Sequence, residues 1–252
     1  MPTLSAAQYG LVFNMFSFTI AAMLGAFVFF LLCRERVAPA YRMSLILSAL
    51  VVGIAGYHYW RITGSWQGAF ELAESGEYVA SGKPFNDAYR YVDWLLTVPL
   101  LVVELILVMR LSKGGGKLAA QLAAAAALMV ALGYPGEIAE TVGGRLLWGT
   151  LSTIPFAYIV WVLWAKLGDA ISSQPPKVQV LLRNIRLLLL ATWGFYPIVY
   201  MLPYLDISGA LATTGVQVGY TIADVLAKAG YGVMIYAIAR AKSEADGWTQ
   251  TA

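Results

Sequence analysis

The chain has 252 residues, 60% of them hydrophobic and only 12% charged, with a formal net charge of +3 and a mean hydropathy of +0.68. A soluble domain is about a quarter charged, so this is the composition of an integral membrane protein. The small cationic excess argues against a nucleic-acid partner, and single copies of cysteine (Cys33) and histidine (His58) leave no internal disulfide and no cysteine- or histidine-rich metal site.

Seven apolar stretches are each long enough to cross a hydrocarbon core that needs about 20 helical residues. They run from about Tyr9 to Cys33, Tyr41 to Ile62, Ala88 to Leu111, Leu118 to Tyr134, Leu146 to Leu167, Val178 to Leu202 and Leu211 to Ala239. The expected fold is therefore an all-α, seven-transmembrane-helix bundle forming a single domain. No basic segment precedes the first span, so a cleavable leader is not expected. Cations crowd one set of connections: Arg34, Arg36 and Arg42; Arg110, Lys113 and Lys117; Lys166, Lys177, Arg183 and Arg186; then Arg240 and Lys242. The other set holds Arg61, Lys83 and Arg145 alone. The positive-inside rule then places the N-terminus outside and the C-terminus in the cytoplasm of a multi-pass cell (inner) membrane protein. The longest connection, Thr63 to Asp87, has Gly-Lys-Pro turn chemistry and suits a hairpin over the outer mouth. Lys113 to Lys117 and Ser172 to Pro176 read as tight turns, and the alanines from Ala123 to Ala127 as a close-packing helix face.

The last span carries Asp224 and Lys228 within the apolar run Tyr220 to Tyr236. A charge near the bilayer centre costs roughly 2.5–3.5 kcal/mol on insertion scales, so two of them call for a cause. Their i,i+4 spacing allows an intrahelical salt bridge, and snorkelling is a further alternative. A functional buried amine with a carboxylate partner explains them better. The third span holds Arg90, Asp93, Thr97 and Glu104. Asp93, Thr97 and Glu104 share one face, with Arg90 a turn to the outer side and Glu104 roughly 16 Å inward along the axis. The bland alternative is that Arg90 and Glu104 snorkel and Thr97 bonds a backbone carbonyl. A single polar line through an apolar helix is instead the shape of an ion path. The third and last spans run the same way, so Asp93 and Asp224 both meet Lys228 from its outer side, and Arg90 balances the cluster. Glu104 lies among leucines and valines, where a carboxyl resists ionisation and serves as a proton donor. On the sixth span Trp193, Tyr196 and Tyr200 share a face beside the kink-prone Pro197, and Trp94 adds a further aromatic. Such residues are most often packing or interfacial, but a greasy slot between aromatic walls suits an elongated conjugated ligand.

These residues resemble the microbial (type 1) rhodopsins over essentially the whole chain. The motifs are Arg90-Tyr91-Val92-Asp93-Trp94-Leu95-Leu96-Thr97-Val98-Pro99, then Trp193-Gly194-Phe195-Tyr196-Pro197, and Asp224 with Lys228. The resemblance implies all-trans retinal on Lys228 as a protonated Schiff base, Asp93 as primary counterion and proton acceptor, Asp224 as second counterion and Arg90 as outward gate. The Asp93, Thr97, Glu104 triplet is similar to that of outward proton pumps of the proteorhodopsin and xanthorhodopsin group, with Glu104 as cytoplasmic donor. Matching retinal-contact positions are Trp94, Leu101, Met129, Gly133, Ser152, Trp193, Tyr196 and Pro197, with Leu101 similar to the green-absorbing branch. His58 falls where that group keeps a histidine hydrogen-bonded to the counterion, here Asp93; the alternative is a packed polar group. The stretch from Arg145 to Phe156 is similar to xanthorhodopsin, and Gly149 stands where many relatives have a bulky side chain. It would open a window for a carotenoid (xanthophyll) antenna, or else only allow close helix packing. Protons, membrane lipid and other copies of the chain in a homo-oligomer are the implied partners, with neither metal nor nucleic acid. One departure is plain: where bacteriorhodopsin has a pair of glutamates for proton release, Tyr204 to Tyr220 holds only Asp206, with Val216 at one of the glutamate positions. The rival readings are a photosensory rhodopsin with a separate transducer, a sodium or chloride pump, and a retinal-free transporter. The intact triplet and the carboxylic donor argue against the first two.

Overall fold

The structure, a computed structural model, describes residues 1–111, 113–204 and 209–249; Asp206 lies outside the described residues. Among the described residues, seven helices are long and apolar enough to span a membrane. We name them α1 (Ala6–Arg36), α2 (Pro39–Ala69), α3 (Ala88–Met109), α4 (Gly115–Glu137), α5 (Val142–Lys166), α6 (Pro176–Met201) and α7 (Gly209–Ala245). Their outer faces carry exposed Phe18, Leu32, Trp60, Leu147, Ile154 and Ile198, whereas Arg90, Asp93, Glu104, Asp224 and Lys228 are buried. Apolar residues outside and charges inside is the arrangement a lipid solvent demands.

Local sequence sets the helix ends. Ser5 and Gln8 form a reciprocal capping box at the start of α1, which satisfies two of the free amides there. Thr141 caps α5 through the Gly144 amide, and Pro176 opens α6, where its missing N–H costs nothing. Wide π turns occur at Val162–Lys166, which ends α5, and at Val225–Gly230, which interrupts α7 around Lys228.

Two expectations need correction. The second helix runs on to Ala69 rather than stopping near Ile62. Its polar-looking end is held by buried Trp66, which packs on Tyr9, Phe16, Phe70 and Phe85. The connection does form a hairpin, β1 (Phe70–Leu72) against β2 (Tyr78–Ala80), but Gly-Lys-Pro is not its turn. Residues 73–77 turn the chain, with Gly76 at φ +82°, and Gly82 (φ +86°) bends it back toward α3 after β2. Leu4 pairs with Tyr78 and Tyr9 stacks on the Tyr78 ring at 3.7 Å, so the hairpin is fastened over the end of the bundle where α1, α3 and α7 begin.

Candidate functional site

Side-chain bonds between α3 and α7 rise together along both helices: Arg90 to Gln217, Trp94 to Asp224, the Leu101 carbonyl to Tyr231 and the Met109 carbonyl to Lys242. The two helices are therefore parallel and in register. That brings Asp93 and Asp224 to the same lysine, as the sequence suggested. Lys228 Nζ stands 3.1 Å from Asp93 Oδ2 and bonds Asp224 Oδ1 directly. Arg90 Nη1 is 3.9 Å from Asp224 Oδ2. Two buried cations and two buried carboxylates compensate one another, which is the condition for keeping them in a dry interior.

The two carboxylates are not equivalent. Besides Lys228, Asp224 accepts from Trp94 Nε1 (3.0 Å), the Tyr196 hydroxyl (2.7 Å) and the Tyr59 hydroxyl (2.7 Å). The Asp93 carboxylate is paired with Lys228, and no other described residue donates a hydrogen bond to its oxygens. The Thr97 hydroxyl donates to the Asp93 backbone carbonyl at 2.8 Å, one helical turn back. The expected hydrogen bond from His58 is not formed. Its Nδ1 lies 3.9 Å from Asp93 Oδ1 and 3.0 Å from the Ile54 carbonyl, one helical turn back, which takes up that ring nitrogen. Arg90 faces Asp224 rather than Asp93, bridged to it by the Tyr59 hydroxyl (2.9 Å), and it donates separately to Gln217 (2.6 Å).

Glu104 is fully buried on the far side of this cluster. Its Oε2 lies 2.7 Å from Ser48 Oγ, which is also 3.2 Å from the Ser44 carbonyl. A serine hydroxyl has one proton to give. Both contacts are satisfied together when Glu104 carries a proton and donates to Ser48, which in turn donates to Ser44. The other oxygen, Oε1, has no partner among the described residues, and a bare buried oxygen costs less on a neutral carboxyl than on a carboxylate.

The aromatic slot is real. Trp94, Leu101, Met129, Gly133, Gly149, Ser152, Trp193, Tyr196, Pro197 and Tyr200 all line one cavity of about 290 Å³, and Lys228 lines it with them. Ser152 Oγ is tied to the Met129 carbonyl at 2.7 Å, which joins α4 to α5 across the cavity. The Trp94 ring packs edge-on to Tyr196 at 5.0 Å. A Cβ at Gly149 would lie 3.1 Å from Tyr200 Cε1, so this glycine admits the tyrosine ring. The cavity also reaches the exposed residues Leu146, Thr150 and Thr153 beside Gly149.

Sequence reasoning missed several polar partners: Tyr59 and Ser48 on α2, Gln217 on α7, and Glu137. Glu137 Oε1 pairs with Arg145 at 3.2 Å, and its Oε2 accepts from the hydroxyls of Tyr91 (3.1 Å) and Tyr220 (3.2 Å).

The chain is similar to known proteins over most of its length. A model of the bacteriorhodopsin-like protein family matches residues 11–242. A green-light absorbing proteorhodopsin from Gamma-proteobacterium EBAC31A08 is 31% identical over 223 residues, 87% of this chain and 82% of the relative. Among solved structures, xanthorhodopsin, described as a light-driven ion pump with dual chromophore, superposes with a TM-score of 0.94 at 61% identity, covering 99% of this chain and 100% of that one. A thermophilic rhodopsin also gives a TM-score of 0.94, at 55% identity and with 98% and 100% covered.

Proposed function

The chain belongs to the bacteriorhodopsin-like family of multi-pass membrane proteins, and on that footing we propose that it is a light-driven pump that moves protons outward with retinal bound at Lys228. The observation that supports this reading is Lys228 between two buried carboxyl groups: Asp93 at 3.1 Å on one side, and Glu104 farther along α3 on the other.

The cavity fits the cofactor. It offers a buried primary amine for a carbonyl, carboxylates to balance the resulting charge, and a lining of Trp94, Trp193, Tyr196, Leu101 and Met129 for a polyene. A Cβ at Gly133 would meet Ser152 Oγ and Tyr91 Cε1 at 3.5 Å, so the missing side chain widens the slot. Retinal bound there through Lys228 would supply light absorption and a light-driven change in the surroundings of the Nζ proton. The protein's part is to route that proton. It leaves Nζ for Asp93 Oδ2 while Asp224 stays ionised among its donors. Glu104 returns its carboxyl proton to Nζ from the opposite end, and until then Ser48 accepts a hydrogen bond from it. With the cation-rich connections in the cytoplasm, transfer from Glu104 toward Asp93 runs outward.

A carotenoid antenna is the second pigment we propose, docked where the cavity reaches Leu146, Thr150 and Thr153 beside Gly149. This site is shared between Tyr200 and any incoming ring, since the glycine already accommodates the tyrosine.

The test is light-induced acidification of the medium by cells containing the protein and supplied with retinal. Acidification is expected, abolished by a protonophore and by Asp93→Asn. Undiminished pumping by Asp93→Asn would remove the acceptor assignment. Transport that depends on sodium or chloride, or a slow photocycle without proton flux, would favour the ion-pump or sensor readings instead.

A further inference from the structure

An outward proton must leave the Asp93–Asp224 cluster, and a series of polar groups continues from there toward the hairpin end. The Tyr59 hydroxyl donates to Asp224 Oδ2 at 2.7 Å and accepts from Arg90 Nη1 at 2.9 Å. Arg90 Nη2 donates to Gln217 Oε1 at 2.6 Å, and Gln217 Nε2 donates to Asp87 Oδ1 at 3.4 Å. Tyr59, Arg90 and Gln217 are buried, whereas Asp87 is half-buried. Asp87 is thus the first carboxylate along this series that water reaches. It stands immediately before α3, where its backbone carbonyl accepts from the Arg90 amide at 3.0 Å, so its position is tied to that of the arginine.

We propose that Asp87 is the exit carboxyl of the pump, taking up the proton that leaves Asp93 and releasing it to the medium; this rests on the proton-pump reading. The O–H bond of Asp93 breaks and leaves its electron pair on that carboxylate. Water carries the proton past Arg90, because a guanidinium has none to spare. An O–H bond forms on Asp87 and then breaks, with the proton passing to bulk water and the electron pair staying on Asp87. Arg90 and Gln217 are positioning residues. They hold Asp87 in line with the cluster, and the arginine's charge keeps the carboxylate form accessible.

The charged and polar groups that bear on Asp87 come from four helices: Arg90 on α3, Glu137 on α4, Arg145 on α5 and Gln217 on α7. Burial raises its pKa most, Arg90 opposes that, and the Glu137 charge adds to it, giving about 6. The sign follows. Above pH 6 Asp87 is mostly ionised in the dark and free to receive a proton; below pH 6 it is already filled and blocks the exit. Release to the medium therefore slows as the pH falls through about 6.

The experiment uses the full chain, reconstituted with retinal in lipid vesicles and excited by a flash. A pH-indicator dye times proton appearance, and infrared difference spectra follow carboxyl protonation. Asp87→Asn keeps the Oδ1 acceptor that Gln217 uses. It is expected to delay proton appearance on the order of tenfold, less than the ~10²–10⁴ of a positioned proton-transfer group because bulk water stands in. It should also erase the pH dependence near 6 and one transient carboxyl band. Asp87→Glu should restore all three. Gln217→Leu, which leaves Asp87 in place but removes its side-chain link to Arg90, should delay release as well. Wild-type timing with wild-type pH dependence in Asp87→Asn overturns the proposal. If that variant fails to take up retinal, the same result in Gln217→Leu overturns it. A wild-type protein that releases no proton at all overturns the pump reading and this one with it, which separates the two failures.

Discussion

Tyr59→Phe removes a single hydroxyl from the centre of the site. That hydroxyl sits between Asp224 Oδ2 (2.7 Å) and Arg90 Nη1 (2.9 Å), while the arginine and the aspartate are themselves 3.9 Å apart. The ring keeps its edge-on packing against Phe16 at 6.0 Å, so phenylalanine fits without a void beyond the lost oxygen. Two hydrogen bonds to charged partners disappear, each contributing about 1.5–3 kcal/mol net. Arg90 and Asp224 recover part of this by closing on each other, so the net loss is about 2–3 kcal/mol. A chain of this size shifts by about 2–4 °C per kcal/mol, which predicts a fall of about 4–12 °C. The assay is the temperature of half-bleaching of the retinal band, with wild type and variant scanned at one rate. A double-mutant cycle with Arg90→Gln should show coupling above about 0.5 kcal/mol, as expected for residues in one network. A shift below about 2 °C, or strict additivity in the cycle, would refute the claim that this hydroxyl couples arginine to aspartate.

Glu104→Gln should leave the first transfer to Asp93 intact and slow the return of the proton to Lys228 by about 10² or more, the contribution of a positioned donor. Flash absorption resolves the two steps, a small permeant weak acid should restore the second, and an unchanged return rate would remove Glu104 from the path. Gly149→Trp puts a large side chain where even a Cβ lies 3.1 Å from Tyr200. It should abolish any sensitisation of pumping by added xanthophyll while the retinal band remains; persistent sensitisation would put the carotenoid elsewhere.

The seven spans were legible because each apolar run is long and punctuated by cations, and in lipid few other folds satisfy the backbone. The Lys228, Asp93, Asp224 cluster was legible for the complementary reason: charges stand out against apolar helices. What escaped was the neutral polar partner. Tyr59 and Ser48 look ordinary on α2, yet they stand eleven residues apart, the same interval as Asp93 and Glu104 on α3. Read antiparallel, the two helices match a polar pair to a polar pair, and Ser48 does meet Glu104 while Tyr59 joins the counterion cluster. The extension of α2 to Ala69 was hidden because Trp66 is buried by partners from α1, the hairpin and the segment that follows it. The wide turn Val225–Gly230 left no trace either, since a one-residue insertion inside a largely apolar helix barely alters its periodicity.

The choice of acceptor is an argument from hydrogen bonds rather than from distance. Asp224 is bonded directly to Lys228 and lies one turn away on the same helix, so proximity alone would send the proton there. But Trp94, Tyr196 and Tyr59 all donate to it. Every such bond stabilises the ionised form, and protonating one oxygen would set its new hydrogen against donors already in place. Arg90 at 3.9 Å adds a further reason to stay charged. Asp93 faces Lys228 at 3.1 Å with no other donor from the described residues, so it gives up nothing by accepting a proton. The two carboxylates divide the work accordingly: Asp224 holds the amine and Arg90 in place as a fixed charge, and Asp93 is the one whose charge changes. Moving a donor should move the role. A hydrogen-bonding residue introduced beside Asp93, or loss of both Tyr59 and Tyr196 hydroxyls from Asp224, narrows the difference between them. The transient carboxyl band would then split between two aspartates, whereas a band that stays wholly with Asp93 would mean that something other than hydrogen bonding selects the acceptor.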